Sequence, residues 1–193
     1  MKNNLENFLI DQFDECISTL INFKSSLELI ENSSKIIHLS LSHGKKIISF
    51  GNGGSAADAQ HIAAEFVSKF KKDRKSFPAI ALTTDTSILT SIGNDFSFDS
   101  IFSRQCEALV SEGDVVLGIS TSGNSVNVKN GIITSTERKA KTIGLLGNNG
   151  GIIKEYVDIP IIVEGSSTSN IQEVHRVIYH IICDFVETEL AKK

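Results

Sequence analysis

Five short apolar runs, each followed by a segment of helical pattern, constrain this chain more than any other feature. They are Lys46–Phe50, Ala79–Leu82, Asp114–Ile119, Thr142–Leu146 and Val157–Val163. Continuous apolar runs of this length, closed by Gly, Ser, Thr or Asn, read as strands buried on both faces. Helical patterns lie between them over 55–70, 86–94, 98–111 and 125–138, with a helical turn at 151–155 and a long last helix at 168–191. Strands alternating with helices predict an α/β protein: a five-stranded parallel sheet covered on both faces, with ligands at the carboxyl ends of the strands. Ahead of the first strand, two further helices are expected within residues 3–43, on the apolar positions Leu5, Phe8, Leu9, Phe13, Ile17, Leu20 and Ile21, then Leu29, Ile30, Ile36, Ile37 and Leu41. The second should end at Gly44.

No repeat, low-complexity tract or Pro-rich linker divides the 193 residues. The expectation is a single domain over 1–193. Nineteen basic against 23 acidic residues give a net charge of −4. That balance points away from nucleic acid, and the one basic run, Lys69 to Lys75, is short. No apolar stretch reaches the roughly 20 residues that span a bilayer. Acids interrupt the apolar pattern of the N-terminus, so a secretory signal is not expected. Cys16, Cys106 and Cys183 are an odd, scattered set, read as reduced thiols of a cytoplasmic protein.

Two loops at strand ends suit an anion. Gly51-Asn52-Gly53-Gly54-Ser55 follows the first strand and opens a helix. Glycines let backbone N–H groups approach an anion, and a helix N-terminus favours negative charge. It is neither a Walker A loop nor G-x-G-x-x-G; the plainer alternative is a tight turn with Ser55 as N-cap. Ser120-Thr121-Ser122-Gly123-Asn124-Ser125 follows the third strand. Four hydroxyls exceed what one cap needs, and with free amides they can take most of a phosphate's oxygens. An ordinary capping loop is the alternative.

Two helices carry groups for proton chemistry. His61 and Glu65 are four apart and share a helix face, so both can reach one ligand or one metal. Their flanks, Ala63, Ala64, Phe66 and Val67, suggest a partly buried helix, where a carboxylate beside a histidine can act as a general base. The alternative is an exposed ion pair. The last helix carries Gln172, Glu173, His175 and His180. Gln172 and His180 stand about 12 Å apart along the axis, so one metal takes both only if the side chains lean together or come from different subunits; in helical angle Glu173 lies nearer His180. Asn94-Asp95 could hold sugar hydroxyls or cap a turn. His38, His43 and His175 read as surface or packing residues.

The ordered segments Gly51-Asn52-Gly53-Gly54-Ser55-Ala56-Ala57-Asp58-Ala59-Gln60-His61, Ala81-Leu82-Thr83-Thr84-Asp85-Thr86-Ser87, Ser120 to Ser125 and Ile171-Gln172-Glu173-Val174-His175 closely resemble the phosphoheptose (sedoheptulose 7-phosphate) isomerases, which are sugar-isomerase (SIS) domain proteins. The resemblance covers nearly the whole chain. It implies a three-layer, flavodoxin-like SIS domain, and a cytoplasmic homotetramer in which the helices of 1–43 serve assembly and active sites lie between subunits. One zinc per subunit would be held by His61, Glu65, Gln172 and His180. Substrate would touch Asn52, Gly53, Gly54, Ser55, Glu65, Asn94, Asp95 and Gln172, its 7-phosphate lying on Ser120, Thr121, Ser122 and Ser125. Glu65 and His180 would be the acid/base pair. The implied reaction converts sedoheptulose 7-phosphate to D-glycero-D-manno-heptose 7-phosphate through a cis-enediol, the first step towards heptose nucleotides for lipopolysaccharide or capsule.

The chain departs from the family pattern where Lys69 and Asn170 replace arginines, which removes bidentate charge, and at Gly147-Asn148-Asn149-Gly150-Gly151. Alternatives are an isomerase of another sugar phosphate, a regulatory sugar-phosphate sensor (no DNA-binding segment accompanies the domain), or the non-catalytic SIS protein that binds the replication initiator. The last carries Thr, Arg and Asn where this chain has Gly54, Ser122 and His180.

Overall fold

The computed structural model describes residues 2–165 and 167–192. Its centre is one parallel sheet of β1 (Ile47–Gly51), β2 (Ala79–Ala81), β3 (Val115–Ser120), β4 (Lys141–Gly147) and β5 (Ile159–Val163), in the order β2-β1-β3-β4-β5. β1 and β3 are buried along their whole length, as strands covered on both faces require. The helices are α1 (Lys2–Phe23), α2 (Leu27–Ser42), α3 (Gly54–Val67), α4 (Thr86–Asp95), α5 (Ser103–Leu109), α6 (Val126–Glu137) and α7 (Thr168–Leu190).

Two apolar cores, one on each face of the sheet, make the three layers. One joins Ile37, Ile62, Phe66, Val174, Ile178 and Ile182 of α2, α3 and α7 to Leu117, Ile119 and Leu145 of the sheet. The other packs Ile92, Cys106, Val128 and Ile132 of α4, α5 and α6 on Ile48, Phe50 and Val116. The chain leaves β1 towards β2 on one side and returns to β3 on the other. That reversal makes the carboxyl ends of β1 and β3, paired up to Gly51 and Ile119, the topological switch point where such sheets bind ligands.

Two helices differ from the sequence expectation. The helix expected to reach Phe70 stops at Val67. The Arg74 guanidinium takes over there, donating from Nη2 to Glu65 O at 2.8 Å and from Nη1 to Phe66 O at 2.8 Å. Arg74 in turn is held by Glu187 of α7, Nε to Oε1 at 3.0 Å. The carboxylate of Glu187 also accepts from the amides of Phe70, Lys71 and Lys72. Burial pushes the Glu187 carboxyl up, but these donors outweigh it and hold it below the usual range. The single helix expected over 98–111 is instead a 3₁₀ turn at Phe98–Ser100 followed by α5. Ser97 caps that turn on Asp99 N, and the break lets the adjacent Ile101 and Phe102 both enter the core.

α1 is built differently from the rest. Thr19 and Phe23 are buried, but Leu5, Phe8, Leu9, Ile10, Phe13, Ile17 and Ile21 are all at least half exposed. Among the described residues no helix is long and apolar enough to cross a membrane.

Candidate active site

α3 and α7 lie side by side in the same direction on one face of the sheet. Gln172 of α7 meets Asp58 of α3, Tyr179 meets Asp58 and His61, and Glu187 meets the loop after α3. This packing carries the chemical groups of α7 along those of α3.

His61, Glu65 and His180 converge, with one ligand atom from each lying within 4.8 Å of the others. Nε2 of His61 is 2.8 Å from Oε1 of Glu65. The rings of His61 and His180 meet edge to face with centroids 5.0 Å apart, and Phe70 stacks on His180 with centroids 5.6 Å apart. Burial, then the neighbouring His61, pulls the His180 imidazole below its ordinary pKa. Two imidazoles and a carboxylate, gathered on a half-open surface, form a donor set that catalytic zinc sites use, with a further position left for water or substrate. The residues therefore fit a metal of that class.

Gln172 lies further towards the N-terminal end of α7. Its Nε2 donates to Asp58 Oδ2 at 2.7 Å, and its amide stands where a side chain on residue 54 would project, with a Cβ there falling 2.4 Å from Nε2. Asp58 is buried, and its other oxygen accepts from Arg176 Nε at 3.1 Å and from the Tyr179 hydroxyl at 3.5 Å. Burial, then the charge of Asp58, pushes the Tyr179 phenol up, so it keeps its proton. Glu173, the residue nearer His180 in helical angle, bonds Arg176 instead.

The glycine loop sits at the switch point. Gly53, not Ser55, occupies the cap position of α3, and its φ of +56° with ψ of −121° is open to glycine alone. Ser55 falls in the first turn, buried, which overturns its reading as N-cap. The side-chain amides of Asn52 and Asn127 exchange two hydrogen bonds, at 2.8 and 2.9 Å, tying this loop to the start of α6. Gly51, Asn52 and Gly53 share the lining of a pocket of about 190 Å³ with Phe98, Ile101 and Phe102.

In the serine loop, Ser120 Oγ lies 3.0 Å from Ser125 Oγ and 3.3 Å from Ser122 Oγ. Ser125 precedes α6 in the cap position, yet its side chain makes no capping bond, so capping does not account for the cluster. The segment 147–151 packs directly on it: Asn148 reaches Thr121 O, and Ile152 N donates to Asn124 Oδ1. Gly123 and Gly151 touch backbone to backbone, each with positive φ and no room for a Cβ. Asn94 and Asp95 end α4, exposed and bonded to each other at 2.8 Å.

Sequence reasoning did not single out Asp58, Tyr179 or Asn127. Asp58 lies inside a quoted motif, but a lone acid in a helix carries no signal until its partners on α7 are known. Of the histidines left aside, His175 is a core residue, fully buried with Nε2 3.1 Å from Leu146 O.

Known proteins resemble this chain over most of its length. The SIS domain family matches residues 12–147. A phosphoheptose isomerase of Geobacter sulfurreducens is 56% identical over 161 residues, covering 83% of this chain and 85% of that protein. One from Clostridium acetobutylicum is 50% identical over 189 residues, 96% of each. The solved phosphoheptose isomerase of Neisseria gonorrhoeae superposes with a TM-score of 0.90 at 40% identity, over 95% of this chain and 99% of that one.

Proposed function

This chain belongs to the phosphoheptose isomerases of the SIS domain family, and on that premise we propose that it is an aldose–ketose isomerase interconverting sedoheptulose 7-phosphate and D-glycero-D-manno-heptose 7-phosphate. The observation that carries the reading is the convergence of His61, Glu65 and His180, two of them on the helix that the switch-point glycine loop opens.

The three hydroxyls of Ser120, Ser122 and Ser125, with Thr121, bind the 7-phosphate without a charged side chain. Hydroxyls and a helix N-terminus suit a monoester. The extended sugar then runs past Asn52–Gly54, with Asn94 and Asp95 on its hydroxyls. Glu65 removes one proton from C1 while O2 gains one, giving the cis-enediol. The proton returns at C2 and O1 loses its own, leaving the aldehyde. His180 moves the proton at the oxygens, which a neutral imidazole does in either direction. Each such group contributes typically 10²–10⁴-fold. His61, Glu65 and His180, with Gln172, would hold zinc, which when bound supplies a Lewis acid for the enediolate oxygens.

Gly54 supports the enzyme over the initiator-binding relative. A side chain there, such as that protein's Thr, would displace the amide of Gln172. The exposed apolar stripe of α1 supports a homotetramer with α1 and α2 in its interfaces, and the absence of a membrane-spanning helix among the described residues accords with a cytoplasmic enzyme. The decisive assay supplies sedoheptulose 7-phosphate to the purified chain, before and after chelation and zinc restoration, beside other ketose phosphates. Turnover of another ketose phosphate in preference would reassign the substrate.

A further inference from the structure

We propose that Asp58 and Tyr179 are positioning residues that decide which atoms of His61 and Gln172 face the metal. The inference rests on the zinc reading above and goes beyond it, because neither residue belongs to the ligand set.

An ionised carboxylate only accepts hydrogen bonds. The group that Gln172 turns towards Asp58 Oδ2, at 2.7 Å, is therefore its NH₂. That orientation leaves Oε1, the ligating atom of an amide, on the other side. Asp58 thus fixes the flip of Gln172, which without such a partner would present nitrogen as readily as oxygen.

His61 is handled through Tyr179. Its Nε2 faces Glu65, and its Nδ1 lies 3.1 Å from the Tyr179 oxygen. The phenol has one hydrogen and two neighbours, Nδ1 and Asp58 Oδ1, the latter at 3.5 Å. The anionic carboxylate draws the hydrogen more strongly than a neutral ring nitrogen does. The phenol oxygen is then left as acceptor, and His61 donates Nδ1–H to it. A neutral His61 with its hydrogen on Nδ1 presents a bare lone pair at Nε2. Metal-bound histidines are commonly held this way by an acceptor behind the ring. The arrangement inserts a phenol between carboxylate and histidine. Arg176 Nε, 3.1 Å from Asp58 Oδ1, donates a further hydrogen bond to that carboxylate and helps fix its orientation.

The test is zinc affinity, measured by competition with a chromophoric chelator on the full-length wild type, Tyr179→Phe and Asp58→Asn, with thermal midpoints as a folding control. Outer partners of metal ligands are worth about 10–100-fold in affinity. Tyr179→Phe, which removes only the relay to His61, is expected near the low end of that range. Asp58→Asn, which disturbs both ligands, is expected near the high end. Should Asp58→Asn fail to fold, Tyr179→Phe decides alone. Wild-type affinity in a folded Tyr179→Phe overturns the proposal while leaving the zinc reading intact. Tighter binding would mean that the phenol donates to Nδ1, the reverse polarity, and overturns it too. A wild-type chain that does not bind zinc overturns both.

Discussion

Nε2 of His61 and Oε1 of Glu65 stand 2.8 Å apart, one turn along α3, with the His180 ring across from them. Two electron-rich atoms at that separation need a proton or a cation between or beside them. The same pair is thereby suited both to metal binding and to proton transfer, and substitutions separate the two proposed roles.

Glu65→Gln keeps the shape and removes the base. We expect kcat to fall 10²–10⁴-fold with KM changed little, measured with sedoheptulose 7-phosphate. A near-normal kcat would remove Glu65 as the base.

His180→Gln should be similarly inactive and should also carry less zinc. Metal analysis of the purified variant beside wild type reads this directly. Unchanged zinc content would confine His180 to proton transfer.

His175 gives a pH dependence unrelated to catalysis. Burial brings its pKa down from 6.5 to about 4, so the folded state holds it neutral. The unfolded chain protonates it below its ordinary pKa. Its contribution to stability is thus fully present above pH 6.5 and is lost as the pH falls from there to about 4. At 1.36 kcal/mol per unit that loss is about 3 kcal/mol. His175→Gln retains a donor for Leu146 O and does not titrate. The difference in unfolding free energy between wild type and variant, at fixed protein concentration, should shrink by about that amount between pH 7 and pH 4. A pH-independent difference would show that His175 does not stay neutral.

The parts of the molecule readable from sequence were those decided locally. β1 and β3 announce themselves because every residue is apolar or small and every one is buried. The glycine loop is legible because only glycine adopts the backbone of residue 53. His61 and Glu65 are legible because four residues is one helical turn. The end of α3 was not, because its stop depends on Arg74, and Arg74 on Glu187, 113 residues away. Asp58 and Tyr179 were hidden for the same reason. Alone, one is an acid on a helix and the other an ordinary core aromatic; their meaning arises where α3 packs on α7.

Deleting residues 1–20 tests assembly. The deletion removes Leu5, Phe8, Leu9, Ile10, Phe13 and Ile17, all at least half exposed in one chain, and a contiguous apolar surface of that kind marks an interface. Light scattering should show a tetramer for the full chain and smaller, inactive species for the deletion, although every proposed ligand and proton-transfer group remains. A fully active monomer near 21 kDa would contradict sites shared between subunits.

The bond from Glu187 to the loop after α3 also sets the order in which the enzyme can come into being. Phe70 waits for a partner 117 residues downstream, and contacts of such long separation form late in folding. During synthesis, α3 with His61 and Glu65 leaves the ribosome well before the helix bearing Gln172, His180 and Glu187. Until α7 docks, α3 has neither its final boundary nor the proposed ligands that face it. A chain that stops before residue 187 therefore lacks the carboxylate that holds Phe70, Lys71, Lys72 and Arg74, and with it the boundary of α3.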